Sequence, residues 1–400
     1  MTLIKRTLMQ RNRELADFEF DLATCKARVI DAAPAGDDLP VSADLVQQGD
    51  NQALNRLVQS RSISSRRPDI RDILASFGAH SPVHLALMGH GLSLSDQYWY
   101  RAPGSTERWE DINFFDNEWD QGFGAAVLAG DYARLATCSP DVPDATTCGA
   151  VVKAWERIGD GVFLAKVSER PDGADLASAK LASELCGLLF DEGCYVPVEI
   201  AERNGQPCSV SPLMLEADDV LVDGHRLCAI SGTQEEHRRE DRGRLTPERC
   251  RIRIEAYTAL GISDASAQVA KLACLSCLAL LANFHTENFG AICKINSGVW
   301  RAAPIFDYGG SFGFFHGKCV IPEKLPSLFF FKLLCASHFS FLDPSWDWSW
   351  FDPRVLEGFE DRIMEAYAPY RDLAPHFSGL VASTFSMQRK YVNGVASGDS

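Results

Sequence analysis

From Val269 to Phe284 the chain is mostly apolar, interrupted by Lys271, and the run closes in a polar knot, LANFHTENFG, Leu281 to Gly290. It falls short of the about 20 residues a membrane span needs. It therefore predicts a helix covered by protein on every side, not a segment in lipid. Four hundred residues exceed one ordinary core, so one large two-lobed domain or two packed domains is expected. The knot itself has two readings, a surface turn or an active-site loop. The residues downstream decide between them.

Composition narrows the classes. A net charge of −15 argues against a protein that wraps nucleic acid or lies on an anionic membrane, since both need a basic footprint. The thirteen cysteines are odd in number and irregularly spaced, a poor disulfide framework. Cys274 and Cys277 lie among alanines and leucines and read as small core side chains. The N-terminus, MTLIKRTLMQRNRELADFEF, lacks an unbroken apolar segment of signal-peptide length. A reducing cytoplasm is the expected compartment.

Along the chain the pattern changes once. RSISSRRPDIRDIL brings Arg61, Arg66, Arg67 and Arg71 to the start of a helix, as a solvated face or a phosphate contact. GLSLSDQYWY, Gly91 to Tyr100, reads as a strand or a structured turn packed on something large. Two hairpins follow, one turning at Asp160-Gly161 and one at Asn204-Gly205. Between them DGADLASAKLASELCGLLF has a helical apolar period. Beyond about residue 245 long helices dominate, over 245–260 and 264–284, interrupted by VWRAAPIFDYGGSF. Trp346, Trp348 and Trp350 read as packing. A strand-rich segment before a helix-rich one is the layout of a cleft between two lobes.

Phosphoryl transfer needs a cation on the phosphates, oxygen ligands for magnesium, and a group that orients the attacking hydroxyl. Lys166 ends the apolar strand VFLAKV, where its ammonium either snorkels or holds an anion. Asp307 ends APIF and precedes YGG, as a metal ligand or a turn-forming aspartate. Asn288, just after the buried run, offers a neutral oxygen to the same ion. HSPVH supplies His80 and His84, but Pro82 between them breaks the helical face a metal hydrolase would use. No Gly-x-Ser-x-Gly signature points to a serine hydrolase.

NFHTENFG followed by PIFD resembles the HipA-like kinase family, whose catalytic loop reads approximately Asp-Arg-His-x-x-Asn-Phe-Gly before a strand reading Pro-(Ile/Leu)-(Phe/Tyr)-Asp. The branch it resembles most is that of the CtkA-type serine/threonine kinases, whose lobes are similar to those of phosphatidylinositol kinases. GLSLSDQYWY with INFFDN resembles the family's N-terminal region, and TTCGAVVKAW its phosphate-binding loop. The resemblance implies an α+β, two-lobed protein-kinase-like fold: an N-terminal subdomain over 1–140, a strand-rich kinase lobe over 141–225 and a helical lobe over 226–400. It implies ATP and Mg²⁺ as ligands, with a protein as substrate or partner. Position by position, Lys166 matches the phosphate-binding lysine, Asn288 and Asp307 the magnesium ligands, and His285 the loop's structural histidine. Thr147, Gly149 and Lys153 match the loop that covers the phosphates.

Two positions depart from that pattern. Asn283 stands where the family has its catalytic aspartate, and Phe284 where it has an arginine; an amide cannot accept the substrate's proton, a loss of roughly 10² to 10⁴ in rate. The glutamate expected to pair with Lys166 aligns with Ala179. Asp175, one turn earlier, is the substitute on the same face, and Glu184 the alternative if the alignment slips. The implied function is a nucleotide-binding pseudokinase or a very weak kinase. An active serine/threonine kinase in which Asn283 orients the hydroxyl, and a helical interaction protein without nucleotide, are the alternatives. HipA-like proteins often work with a small DNA-binding antitoxin, and nothing in this sequence supplies such a module.

Overall fold

Among the described residues three antiparallel sheets of three or four strands follow one another along the chain, each containing at least one hairpin. The computed structural model describes residues 3–34, 46–232, 245–281, 288–315, 318–319, 342–370, 373 and 376–398. The first sheet contains β1 (Leu3–Gln10), β2 (Arg13–Asp21), β3 (Lys26–Ala32) and β4 (Tyr98–Arg101), in the order β3-β2-β1-β4. Period-two alternation puts Phe18 and Phe20 of β2 on the buried face with Leu8, Tyr98 and Tyr100. Helix α1 (Asn51–Ser60), capped by the Asp50 carboxylate, covers that face with Leu54, Leu57 and Val58. Asn51 and Asn55 accept hydrogen bonds from the amides of Val29 and Ala27 on β3, so the sheet edge meets side-chain oxygens instead of another strand.

Of the four arginines of RSISSRRPDIRDIL, Arg66 and Arg71 are solvated as expected, whereas Arg61 and Arg67 are buried and engaged inside the protein, which corrects both expectations for those two. Arg61 is 3% exposed and ion-paired with Asp96, and it also donates to the carbonyls of Gly91 and Tyr98. Arg67 is 2% exposed and forks onto Asp69. Both charges are internal because two carboxylates, one of them distant in sequence, satisfy them. Helix α2 (Ile70–Phe77) follows, then α3 (Pro82–Met88), with Pro82 in its first turn and His80 outside it. Helix α4 (Gln121–Ala129) closes this part.

The second sheet, β5 (Lys153–Ile158), β6 (Gly161–Val167), β7 (Glu199–Arg203) and β8 (Gln206–Pro212), has the order β5-β6-β8-β7. Ile158 faces Gly161, so the first hairpin turns on Gly159-Asp160, one residue earlier than the sequence suggested, with Gly159 at φ 57°. Asn204 and Gly205 turn the second hairpin at φ 50° and 76°, the double left-handed geometry that suits the strand twist. Between the hairpins runs α5 (Ala174–Leu189). Its inner face belongs to the helical core: Leu181, Leu185 and Cys186 pack with α6 (Pro247–Ala259), α7 (Ala265–Leu278), α8 (Phe359–Tyr367) and α9 (Phe377–Ser397).

The third sheet has the order β11-β10-β9, from β9 (Asp219–Asp223), β10 (Gly290–Lys294) and β11 (Val299–Ala302). β9 thus pairs with strands of the later segment, although it lies in the stretch read as the strand-rich lobe. The apolar run lies in α7, buried except at Ser266, Gln268 and Lys271, and the helix stops at Leu278, short of the expected 284, because Leu280 turns left-handed at φ 51°. No helix among the described residues is long and apolar enough to cross a membrane. Trp346, Trp348 and Trp350 stack on one another at 6.4 and 5.7 Å, and Trp350 leans on Phe190 after α5.

Two seams join these parts. The amide of Leu221 on β9 donates to Ser95 O at 2.9 Å, tying the first sheet's neighbourhood to the third. Ile305 forms a parallel bridge with Tyr195: Val196 N donates to Ile305 O and Ile305 N to Cys194 O, both 2.9 Å. The second seam fixes the chain two residues before Asp307.

Removing one partner of the buried pair leaves a stranded charge. Asp96→Ala is expected to cost about 3–5 kcal/mol in urea unfolding, and Arg61→Leu/Asp96→Leu clearly less. Equal losses for the single and double variants would show that the pairing does not hold this region.

Candidate active site

The β5–β6 ladder sets Lys153 directly opposite Lys166. Directly opposed residues share a face of the sheet, and like charges there repel, so the pair calls for an anion. Asp307 supplies one: its Oδ1 lies 3.1 Å from Lys166 Nζ, with the two side chains 30% and 22% exposed. The carboxylate reaches β6 because the backbone turns left-handed at Asp307, φ 63°. That conformation is unfavourable for a residue with a Cβ and costs on the order of 1 kcal/mol, least for Asp and Asn.

Lys153 is not in the phosphate-covering loop, as the sequence suggested, but opens β5, because the ladder with β6 extends back to it. Its side chain folds back beneath that loop and donates to Cys148 O at 2.7 Å. Gly149, at φ 98°, makes this contact possible: a Cβ there would sit 2.2 Å from the ammonium. Burial pushes the Lys153 pKa down to about 7; Lys166 lowers it further, and Asp307 works the other way. Thr147 is anchored instead of open. Its hydroxyl donates to Pro143 O at 2.7 Å and accepts from Trp155 Nε1 at 2.9 Å. Asp144 receives the Trp155 amide at 3.0 Å, and burial raises its carboxyl to about 7, although that amide and Arg67 pull it down.

The two candidate partners for Lys166 are engaged elsewhere. Asp175 accepts from the Ser168 hydroxyl and from the Glu169 amide, the latter at 2.9 Å, closing the turn between β6 and α5. Its short side chain is held by that turn, and the lysine's counter-ion is Asp307. Glu184 forms a two-point pair with Arg362 of α8, both contacts 2.8 Å, and fastens α5 to the helical core. Ala179, 7% exposed, packs in that core.

Asn288 lies at the mouth of the β10–β11 hairpin. Because the strands are antiparallel, the chain entering at Gly290 and the chain leaving at Ala302 share one end, and Ala303 N donates to Gly290 O at 3.0 Å. Asn288 therefore lines one small cavity with Pro304 and Ile305, the residues leading to Asp307. Asn283, Phe284 and His285 lie outside the described residues. Among the described residues no three His, Cys, Asp or Glu side chains gather to hold a metal ion. A divalent ion here would rest on one carboxylate, one amide oxygen, water and ligand oxygens, a set suited to magnesium.

Sequence reading offered Arg67 only as a solvated residue or a phosphate contact, not as an internal support of the site, and gave Asp144 and Trp155 no role of their own. The available signal was Arg67 two residues before Asp69, a spacing short enough for a local fork.

No protein-family model and no curated protein match the sequence. In three dimensions the chain is similar to HipA of Shewanella oneidensis, from a complex of the toxin–antitoxin system HipA, HipB and its operator DNA. The identity is 11%, the match covers 98% of this chain and 99% of that one, and the TM-score is 0.51. It also matches the Helicobacter pylori proinflammatory kinase CtkA at 10% identity, over 62% of this chain and 94% of that one, with a TM-score of 0.42. The chain has the two-lobed, kinase-like α+β fold of HipA.

The left-handed turn at Asp307 can be checked by itself. Asp307→Ala should be less stable than Asp307→Gly by about 1 kcal/mol in thermal unfolding, the reverse of the order in ordinary backbone. Greater stability of the alanine variant would exclude a left-handed residue there.

Proposed function

We propose that this chain binds ATP with Mg²⁺ in the cleft between the second sheet and the helical core, and that it is a pseudokinase or a very weak kinase. The observation that carries the reading is the Lys153–Lys166 rung with Asp307 at its open side. Two facing lysine amines and a single carboxylate leave cationic capacity for which a polyphosphate is the natural counter-ion. Lys166 and Lys153 would hold the phosphates, with the amides of the loop around Gly149 closing over them. Asp307 and Asn288 would hold the magnesium ion. Bound ATP supplies the transferable phosphoryl group, and magnesium neutralises the charge that develops on it. Asn283, in place of a proton-accepting carboxylate, accounts for the weak transfer, so the chain would act chiefly by presenting its ATP-bound shape to a protein partner.

Saturating ATP with magnesium, at about 100 times its dissociation constant, should stabilise the protein by about 2.7 kcal/mol. An unchanged melting temperature would overturn the proposal. Asn283→Asp is expected to raise phosphate transfer at least tenfold, and equal rates would remove that position from the chemistry.

Lys153 gives the reading a pH signature. Its folded pKa of about 7 lies below the unfolded 10.5, so between these values the unfolded chain holds a proton that the folded chain lacks. Stability then rises with pH across that window. A polyanion favours the charged amine, so ATP binding should take up a proton, and affinity should fall as pH rises above about 7. Lys153→Met should therefore stabilise the ligand-free protein at pH 7 by about 1 kcal/mol or more, an advantage that shrinks toward pH 10, while the ATP-induced shift is lost. A destabilised Lys153→Met protein that still binds ATP would count against this assignment.

A further inference from the structure

Arg67 stands eighty-six residues before Lys153 in the chain, yet its NH1 donates to the Lys153 carbonyl at 3.2 Å. The rest of the guanidinium is fixed: Nε and NH2 fork onto the two oxygens of Asp69 at 2.9 and 2.6 Å, with the side chains 1% and 3% exposed. Asp69 occupies the N-cap position of α2 but makes no side-chain cap hydrogen bond. An N-cap aspartate normally contributes about 1 kcal/mol by accepting from its helix, so this carboxylate forgoes its local role to orient Arg67. The neighbouring segment clasps the other end of the phosphate loop. Ile63 N donates to Ala145 O at 3.1 Å, and the Cys148 thiol lies 2.8 Å from Ser60 O.

We infer that Arg67, oriented by Asp69, is a positioning residue that holds the start of β5 so that the Lys153 ammonium stays under the loop and opposite Lys166. The N-terminal subdomain then acts directly on anion affinity in the cleft. The backbone carbonyl and the ammonium belong to one residue, so displacing the first moves the second. Arg67 touches no reacting group; it acts on the Lys153 backbone, and its charge also favours the Asp144 carboxylate. The inference rests on the proposed nucleotide site for its consequence, but not for its geometry.

The test uses the full chain and two readouts. Arg67→Met alone leaves Asp69 buried and unpaired, so the main variant is Arg67→Met/Asp69→Leu, which removes both charges and keeps apolar volume. In ligand-free protein, acetylation of Lys153 by trace acetic anhydride, read by mass spectrometry, should be at least tenfold faster in the double variant than in the wild type. Exposed Lys26 serves as the unchanged reference. ATP-Mg²⁺ affinity by calorimetry should fall at least tenfold in the same variant. Unchanged labelling of Lys153 in a folded double variant overturns the inference whether or not nucleotide binds. Faster labelling with unchanged ATP affinity also overturns its functional half while leaving the nucleotide site standing. A wild type that binds no ATP-Mg²⁺ rejects the proposed function, and the labelling result then still decides the coupling.

Discussion

Two lysines facing each other across one rung of an antiparallel ladder are the constraint around which the cleft is arranged. Lys153 and Lys166 share a face only in the observed register. A slip of one residue would send one of them to the opposite side of the sheet. The register is fixed by the Gly159-Asp160 turn at one end and by the Asp144 carboxylate on the Trp155 amide nearer the other. The repulsion is then relieved twice: Asp307 accepts a left-handed backbone to reach Lys166, and Gly149 gives up a side chain so that Lys153 can donate to the loop. Both are departures from locally favourable backbone or composition. Such departures concentrate where a site needs charge that the fold alone would avoid.

The same arrangement explains how the lysine does without a partner on α5. Ala179 and Glu184 tie that helix to the helical core, one by packing and one through Arg362, so α5 serves as a rigid strut. The counter-ion comes from the other side of the cleft. In the proposed reading this makes Asp307 a lysine partner without ligand and a metal ligand with it, so nucleotide binding would exchange one ion pair for two ion–ligand contacts. The segment leading into β7 meets the chain before Asp307 at the Tyr195–Ile305 bridge, two residues from the carboxylate.

Much of the fold was legible because its signals are local. Asn204-Gly205 prescribes a two-residue turn through backbone conformations few other residues reach, and the apolar period over Ala174–Leu189 needs only its own spacing to be recognised. The first hairpin was found but displaced by one residue, since Gly159, Asp160 and Gly161 offer competing turn centres. Errors came where distant groups decide. Arg61 reads as a solvated residue because the carboxylate of Asp96 is remote in sequence, and Arg67 does so although Asp69 stands two residues away, because the carbonyl of Lys153 that it also meets is remote. Asp175 read as a lysine partner because helical spacing places it toward β6, yet the nearer Ser168 hydroxyl and Glu169 amide claim it first.

The amino-acid order by itself determined the strand-then-helix plan, the turns and the identity of the groups capable of phosphate or metal chemistry. These depend on periodicity and side-chain type, which are properties of short windows. Which charge meets which was decided only by the tertiary structure: that Lys153 faces Lys166, that Asp307 answers them, that Arg67 supports the rung from behind. Ion pairing falls off over a few ångströms, and only the packed chain sets distances that small between residues as far apart in sequence as Lys166 and Asp307.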